Sequence, residues 1–387
     1  MKQSEILACQ IQEWYPSFNS VSLKTIVIPL PEPFIEYLLD DGGLFLPKTA
    51  SDEDALPSRV KVTWPDLQAE DYHRWKEEDD EEEETAQNVA AFPNLEEAVR
   101  AAIQKLGGSA FPKMNWSAPK DAVWISTNGS LKCCLFGEIV LLLRASDSIV
   151  HDLCHAFESC EDKSSDRPSQ FYLALRKWYD LRPEMEFRGF VKGGLLVGVS
   201  QREVTGFYPA MVENLEEFES AVFGFFTEHV SGKFGPPDYT FDCYVTRDGR
   251  VKLIDFNPWG AFTLPLLFTW DDLERNYWQA VNGLEELDVG STGRLDGDLG
   301  LNFEELSLNS EGLGPDRMDL NWKLKERGHK LDFRVVERAG CVQPSLRASS
   351  GVPYDYIDTS PGSAWDEFLR RADEEIKKQA SAPAAGG

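Results

Sequence analysis

The chain has 387 residues, of which 42% are hydrophobic and 12% aromatic, so it can bury the core of one large or two moderate domains. Its 39 Lys and Arg residues against 66 Asp and Glu residues give a net charge of −27. This charge argues against non-specific binding to nucleic acid or to an anionic membrane surface. No apolar run approaches the roughly 20 residues of a bilayer-spanning helix, and the first residues lack a secretory hydrophobic region. We expect a soluble, cytoplasmic protein that is monomeric when free.

The cysteines do not form the pattern of a disulfide framework, because the seven of them are scattered along a long chain. One segment, HDLCHAFESC, collects side chains that bind zinc when they converge. These are His151, Cys154, His155 and Cys160. A partly buried segment without metal explains the same residues, and the sequence leaves the two interpretations open.

Composition and hydrophobic periodicity divide the chain into six segments of an α+β protein. Glu77 to Glu84 is an unbroken acidic run whose side chains repel each other too strongly to pack. In chain order, the predicted segments are the N-terminal part of the fold (1–50), an acidic disordered insert (51–91), the core with its hairpins (92–281), an irregular insert (282–330), a C-terminal strand and helix (331–380) and a flexible tail (381–387).

The core segment opens with a helix. Asn94 and Glu97 match a capping box at its start. Gly107 and Gly108 are typical of its end. The chain then enters a strand that carries Lys113.

The stretches TFDCYV and RVKLIDFN flank Arg247-Asp248-Gly249-Arg250, and Asp-Gly is the preferred two-residue connection of a β-hairpin. If residue 247 faces residue 250, Asp242 lies directly across from Asp255. Because side chains alternate along a strand, one face of the hairpin is then predicted to carry both polar and apolar side chains. Its members are Asp242, Tyr244, Val251, Leu253, Asp255 and Asn257.

Two carboxylates in direct cross-strand pairing destabilise a sheet, since their Cβ atoms lie about 4.5–5.5 Å apart. A lysine, a shared proton or a hard cation must offset the repulsion. Asp242, Asp255 and Asn257 offer only oxygen ligands, which suits Mg²⁺ bound together with phosphates. A general acid/base pair and a solvent-facing pair without function are the alternatives. Removal of Asp255 is expected to cost little stability, because it also removes the repulsion.

A second hairpin is indicated by Gly193-Gly194 in EFRGFVKGGLLVGVSQRE. Pairing of residue 192 with residue 195 places Glu186 across from Gln201, with Arg188 on the same face. Arg188 can clamp a phosphate through two hydrogen bonds. An ion pair with Glu186 explains it equally well.

Further candidates for nucleotide binding precede this hairpin in the sequence. Lys113 and Lys120 bracket the loop Asn115 to Pro119, which can cover phosphates as a basic flap. Arg176 and Trp178 share one face of a strand, where they can flank a base. Trp178 fits a hydrophobic core equally well.

With these residues assembled, the chain resembles the cell division cycle protein 123 family, the ATP-grasp-like assembly chaperones of translation initiation factor 2. The resemblance covers most of residues 9–275. The matching stretches are WYPSF, KTIVIPLPEPFIEYLLDDG, FPKMNWSAPKDAVWI, LRKWYDLRPEMEFRGFVKGGLLVGVSQRE, FDCYV, VKLIDFNPWG and, faintly, VQPS.

The resemblance implies an ATP-grasp-like fold in which two lobes with antiparallel hairpins enclose ATP and Mg²⁺. It implies that Asp242, Asp255 and Asn257 hold the metal. It also implies phosphate contacts from Lys113, the Asn115 to Lys120 loop and Arg188, and a hinge near adenine. The full set expected to bind the nucleotide, with Gln201 and Tyr244 added from the hairpin registers, is Lys113, Asn115, Trp116, Ala118, Pro119, Lys120, Arg176, Lys177, Trp178, Arg188, Gln201, Asp242, Tyr244, Asp255 and Asn257.

The same resemblance implies a partner, the gamma subunit of translation initiation factor 2, whose assembly into the heterotrimer the chain would promote. Composition and spacing by themselves do not indicate that partner. An ATP-grasp carboxylate–amine ligase that acts through an acyl-phosphate is an alternative, as is a scaffold without nucleotide. No catalytic residue is assigned, and the sequence leaves open whether ATP is hydrolysed.

Overall fold

The computed structural model describes residues 1–40, 46–47, 91–260, 262–291, 316–326, 328–342 and 370. All of these except the last belong to one compact unit, Met1–Gln343, and Pro344–Gly387 forms a second. The acidic run at 77–84, the C-terminal helix expected before residue 380 and the tail at 381–387 lie outside the described residues, apart from residue 370, so they stay predictions.

Helices account for much of the described chain. None of those described combines the length and apolar character needed to span a bilayer. Short 3₁₀ helices lie at Lys120–Ile125, Pro183–Met185 and Ala339–Cys341, and a π-helical turn, Phe226–Val230, extends α8. The α-helices are α1 Gln3–Ala8, α2 Ile11–Phe18, α3 Glu32–Leu39, α4 Pro93–Leu106, α5 Phe136–Arg144, α6 Asp147–Cys154, α7 Pro209–Glu213, α8 Leu215–Phe225, α9 Trp270–Ser291 and α10 Asp316–Glu326.

The strands of the described residues form two sheets, which confirms the α+β class and the antiparallel hairpins. The small sheet has the order β1-β3-β2, and the large sheet has the order β7-β6-β4-β5-β8. Neighbouring strands are antiparallel, except that β8 runs parallel to β5. The strands are β1 Thr25–Pro29, β2 Ala110–Lys113, β3 Tyr172–Lys177, β4 Glu186–Lys192, β5 Leu195–Gln201, β6 Tyr239–Val245, β7 Val251–Pro258 and β8 Phe333–Arg334.

The small sheet is covered by α3, α4 and α5, whose apolar stripes share one core with it. Helix α4 begins at Pro93, not at the expected cap Asn94, because proline needs no hydrogen-bond acceptor for its nitrogen in the first turn. The helix ends where predicted, at Gly107, whose φ of 99° requires the conformational freedom of glycine.

The large sheet buries one face completely, and α9 covers one end of the other face, where it packs with Phe190, so that polar groups occupy only the remainder. Helices α2 and α8 cover the buried face, where the rings of Phe226 and Phe241 stack with their centroids 5.7 Å apart. Because side chains alternate, every second residue of β4, β6 and β7 points to the opposite face, called here the polar face. It carries Glu186, Arg188, Asp242 and Asp255, on the registers described next.

The hairpin between β6 and β7 pairs Asp242 with Asp255, as predicted. Its turn is one residue longer than expected, since Val245 pairs with Val251 and Gly249 adopts a φ of 77°. A β-bulge between Asp242 and Cys243 compensates for the extra residue. The bulge places Leu253 opposite Cys243 on the apolar face, with Val251, so the prediction that these two residues share the face of the carboxylates is wrong.

The hairpin between β4 and β5 has the predicted pairing at its turn, where Lys192 faces Leu195. A second bulge, between Phe190 and Val191, then shifts the register. Gln201 therefore pairs with Phe187 and not with Glu186, and the predicted position of Gln201 on the polar face is wrong.

Helical structure replaces part of the irregular insert expected at 282–330. Helix α9 continues to Ser291, and residues 316–326 form α10. Leu273, Ala280 and Val281 recur on one side of α9 and pack with Leu324 of α10. Leu324 lies in the Gly-rich and Asp-rich insert, where no sustained apolar period predicts a helix, and only its packing against α9 makes it part of a buried face.

The centre of β4 provides a test of the packing between neighbouring strands of the large sheet. A Cβ atom at Gly189 would overlap the ring of Phe241, which is wholly buried. We expect Gly189→Ala to lower the free energy of unfolding by roughly 1–3 kcal/mol, measured by urea denaturation, because a close-packed core cannot absorb the added methyl group.

Gly224→Ala is the matched control, because a Cβ there meets no atom within 4 Å and the residue is helical. It should leave stability unchanged or raise it by up to about 1 kcal/mol. Equal effects of the two substitutions would contradict the described packing of β4 against β6.

Candidate functional site

Two cations from the small sheet reach β7 of the large sheet. The Lys113 ammonium, at the end of β2, contacts the Asp255 carboxylate and donates to the carbonyl of Trp116. Arg176, on β3, donates from Nη2 to the carbonyl of Ile254 over 2.8 Å. Ile254 is the extra residue of the bulge, and a bulged residue loses a ladder partner, which leaves its carbonyl for Arg176.

The pair of Lys113 and Asp255 is largely removed from water, with side chains 3% and 14% exposed. A buried ammonium without its counter-ion is costly, by about 3–5 kcal/mol in comparable cases. Removal of Asp255 would therefore strand the charge of Lys113. The expectation that the change costs little stability considered only the two carboxylates and must be revised.

Two arginines hold Asp242. Arg188 donates from Nε to Oδ1 over 2.7 Å and from Nη2 to Oδ2 over 2.9 Å, and Arg202 donates from Nε to Oδ2 over 3.1 Å. Burial alone would raise the pKa of Asp242, but the charges of both arginines outweigh it and hold the pKa well below its ordinary value. Asp242 is thus ionised beside Asp255.

Asn257 lies next along β7 and pairs with Thr240 of β6. The amide nitrogen of Asn257 and the hydroxyl of Thr240 are buried without a hydrogen-bond partner among the described residues. Buried polar groups are nearly always satisfied, so this pair beside two carboxylates is a candidate place for a water, a ligand or an ion.

The donor set of this face fits a hard divalent cation. Two carboxylates and one carboxamide offer oxygen atoms, and Mg²⁺ commonly takes one or two carboxylates and fills its remaining positions with water and phosphate. Within the described part of the chain, no three His, Cys, Asp or Glu side chains converge. A cation here would therefore depend on Asn257 and on oxygens from a bound molecule as well as on the two aspartates.

The loop after Lys113 is fixed by its first two side chains. Asn115 is wholly buried, where Nδ2 donates to Gln10 Oε1 over 2.7 Å and Oδ1 accepts from the Tyr172 amide over 2.8 Å. The Trp116 indole donates to the Ile6 carbonyl over 2.9 Å. Both side chains point into the protein and anchor the loop there. A ligand on the outer side of the loop would therefore meet its backbone and the residues that follow Trp116.

Ala118 and Pro119 lead into the 3₁₀ helix that begins at Lys120. Burial raises the pKa of Glu186, and the positive charges of Lys120 and Arg202 offset part of that rise. Lys120 also acts to lower the pKa of Asp242. The structure therefore brings Lys120 to the same end of the polar face as Glu186 and Arg202.

The residues expected near a base lie at the end of β3. Burial lowers the pKa of Arg176, whose Nε is buried without a partner among the described residues. The Lys177 ammonium lies 5.5 Å from the centroid of the Tyr179 ring. Trp178 packs against the core of the small sheet but is only half-buried.

Tyr244 joins the polar face, because it pairs with Glu186 across the β4–β6 ladder. Gln201 does not, since its side chain is bound elsewhere: Nε2 donates to the Gly206 carbonyl over 2.8 Å, and Oε1 accepts from the Val336 backbone amide over 2.9 Å. Arg202 takes the place that was predicted for Gln201. A glycine inside a strand is a signal for a bulge, and Gly198 beside the register shift is the feature that could have revealed this exchange.

The His and Cys segment does not form a metal site in this structure. His151 and Cys154 lie on α6, and the rings of His151 and His155 are 6.0 Å apart. Together with Cys160 they fall within the described residues, among which no metal-binding group of such side chains is found.

Comparison with known proteins places this arrangement in a family. A family model described as D123 matches residues 14–360. The Translation initiation factor eIF2 assembly protein of Xenopus laevis is 40% identical over 362 residues, covering 94% of this chain and 93% of that protein. Cell division cycle protein 123 of Phaeosphaeria nodorum is 32% identical over 375 residues, covering 93% of this chain and 92% of that protein.

A solved structure shows the same fold. Cdc123 from Schizosaccharomyces pombe is 32% identical, with a TM-score of 0.56, and the match covers 71% of this chain and 93% of that one. The matched family model and relatives span both sheets and the whole polar face. This chain belongs to the D123 family, which is the family of cell division cycle protein 123.

Proposed function

We propose that this chain is an assembly factor for translation initiation factor 2 that works with ATP and Mg²⁺ bound between its two sheets. The observation that carries the proposal is the match over 94% of the chain to a protein named for eIF2 assembly. The ATP-grasp-like character of the fold, expected from the family resemblance, is part of the proposal.

The distribution of charge supports nucleotide binding. Asp242, Asp255 and Asn257 would hold Mg²⁺, and bound Mg²⁺ would neutralise phosphate oxygens and link them to these side chains. Lys113 is held at the carboxylates by Asp255 and the Trp116 carbonyl, so it can share its charge with phosphates from a fixed position. Lys120 supplies further positive charge at the same face.

The base would lie at the end of β3. Arg176 keeps one buried nitrogen without a partner among the described residues, and the half-buried indole of Trp178 follows two residues later. Lys177 lies between them. These features agree with a hinge that contacts adenine, and the assignment remains part of the proposal.

The gamma subunit of translation initiation factor 2 is the proposed partner. The net charge of −27 favours association with a basic protein surface. Because Lys113 and Asp255 come from different sheets, a nucleotide at this site would stabilise one arrangement of the two sheets. Affinity for nucleotide and affinity for the partner should then depend on each other in both directions.

The metal assignment is tested by Asp255→Asn, which keeps an oxygen acceptor for Lys113 and removes the negative charge. We expect Mg²⁺-dependent ATP affinity, measured by calorimetry, to fall by at least roughly tenfold, because a hard cation loses a charged ligand. The side-chain amide of the new asparagine should limit the loss of stability that a smaller residue would cause, because its oxygen still accepts a hydrogen bond from Lys113.

Asp248→Asn is the matched control, since this aspartate lies exposed in the β6–β7 turn. It should bind ATP as the unchanged chain does. Wild-type ATP affinity in a folded Asp255→Asn protein would contradict the metal assignment.

The partner is tested by retention of the purified gamma subunit on the immobilised chain, with ATP and Mg²⁺ present or absent. We expect retention to increase with ATP and Mg²⁺, and Asp255→Asn to lose that increase while Asp248→Asn keeps it. The physical reason is the mutual dependence of the two affinities.

An unchanged chain that retains no gamma subunit under any condition would contradict the assembly role. ADP release that requires both a small acid and an amine would favour the carboxylate–amine ligase. Retention of the gamma subunit that does not depend on nucleotide would contradict the coupling between the two affinities. It would still support the gamma subunit as the partner.

A further inference from the structure

Arg202 follows β5 and enters the polar face through the shifted register. Its backbone amide donates to the Glu186 carbonyl over 3.0 Å, which continues the β4–β5 ladder beyond Gln201. Its side chain is 30% exposed, whereas that of Arg188 is 6% exposed. Of the two arginines at Asp242, Arg202 is thus the one that solvent or a ligand can reach.

The two guanidinium groups differ in the donors they have committed. Arg188 uses Nε and Nη2 on Asp242, and its Nη1 donates to the Leu264 carbonyl over 3.1 Å. Arg202 uses Nε alone, over 3.1 Å, and its Nη1 and Nη2 donate to no other residue in the described part of the chain. All three nitrogen atoms of the Arg188 guanidinium therefore donate hydrogen bonds within the protein. The two terminal nitrogen atoms of Arg202 can still donate to a ligand.

The carboxylate of Asp242 is the group over which a cation and Arg202 would compete. It accepts three hydrogen bonds, of which that from Arg202 is single and the longest. A divalent cation on Asp242 would displace this bond most easily, because the paired bonds from Arg188 are shorter and reinforce each other.

The surroundings favour an anion once the metal is bound. Lys120 brings positive charge to the same end of the face as Arg202. A phosphate oxygen accepts charge-assisted hydrogen bonds from the planar fork of an arginine, and two parallel donors give the strongest form of that contact.

We infer that Arg202 is a phosphate-binding residue, whose guanidinium turns from Asp242 to the phosphate oxygens of a nucleoside triphosphate when a divalent cation occupies that carboxylate. The inference rests on the proposed function and adds to it a residue outside the set expected from the sequence. It also gives Arg188 a different task, which is to orient Asp242.

Calorimetry on the full chain with saturating Mg²⁺ tests the inference, with ATP, tripolyphosphate and adenosine as ligands. Arg202→Gln should lower the affinity for ATP and for tripolyphosphate by roughly ten- to a hundredfold, the range for lost hydrogen bonds to charged groups. The affinity for adenosine should not change. Arg202→Lys should lose less, because it keeps the charge. Arg250→Gln, in the exposed β6–β7 turn, is the matched control and should behave as the unchanged chain.

A residue that acts only by holding Asp242 would give another result. Its loss would lower the affinity for Mg²⁺, so a large excess of Mg²⁺ would restore ATP affinity in Arg202→Gln. That outcome would overturn the inference. Equal losses for adenosine and ATP would overturn it as well, since they would indicate a distorted site.

The failures of the two proposals are distinguishable. An unchanged chain that binds ATP, together with a folded Arg202→Gln protein that binds it equally well, overturns the role of Arg202 alone. An unchanged chain that binds no ATP overturns the proposed function and the inference together. If Arg202→Gln fails to fold, as judged by thermal unfolding, Arg202→Lys replaces it: a smaller loss confined to ATP and tripolyphosphate is expected, and unchanged affinity for both would overturn the role of Arg202.

Discussion

The polar face of this protein depends on two carboxylates that lie directly across from each other on β6 and β7. Charges about 5 Å apart repel by roughly 3 kcal/mol at an effective dielectric constant of about 20. The chain offsets that repulsion with cations from different elements, Arg188 and Arg202 on Asp242 and Lys113 on Asp255. The balance is therefore a tertiary property, because Lys113 belongs to the other sheet.

Two β-bulges arrange these groups. One allows a longer turn and still brings Asp242 opposite Asp255, and it frees the carbonyl of Ile254 for Arg176. The other moves Gln201 off the polar face and brings Arg202 onto it. A bulge changes which side chains share a face beyond its position, so a single extra residue decides the composition of a site several residues away.

Membership in the D123 family agrees with this arrangement, since the matched residues 14–360 include every group of the polar face. The face combines paired acids, partly balanced bases and two buried polar atoms without partners among the described residues. Ion pairs balance part of the charge of this face, but its hydrogen bonds are incomplete. A ligand that carries both a cation and anionic groups would satisfy the acids, the bases and the orphaned atoms together, whereas a bare cation or a bare anion would satisfy only one kind.

The sequence by itself determined the α+β class, the turn at Gly193-Gly194 and the pairing of Asp242 with Asp255, because turn residues and alternation are local signals. It assigned Gln201, Val251 and Leu253 to the wrong face, since a bulge leaves little trace in a local pattern. It also expected irregular structure at α10 and at the end of α9, because the few apolar residues of α10 become a buried stripe only against α9 and β5. Only the tertiary structure decided which cation meets which carboxylate, since Lys113, Arg188 and Arg202 approach from separate strands, and the long-range contacts that bring those strands together are not written in the spacing of residues along the chain.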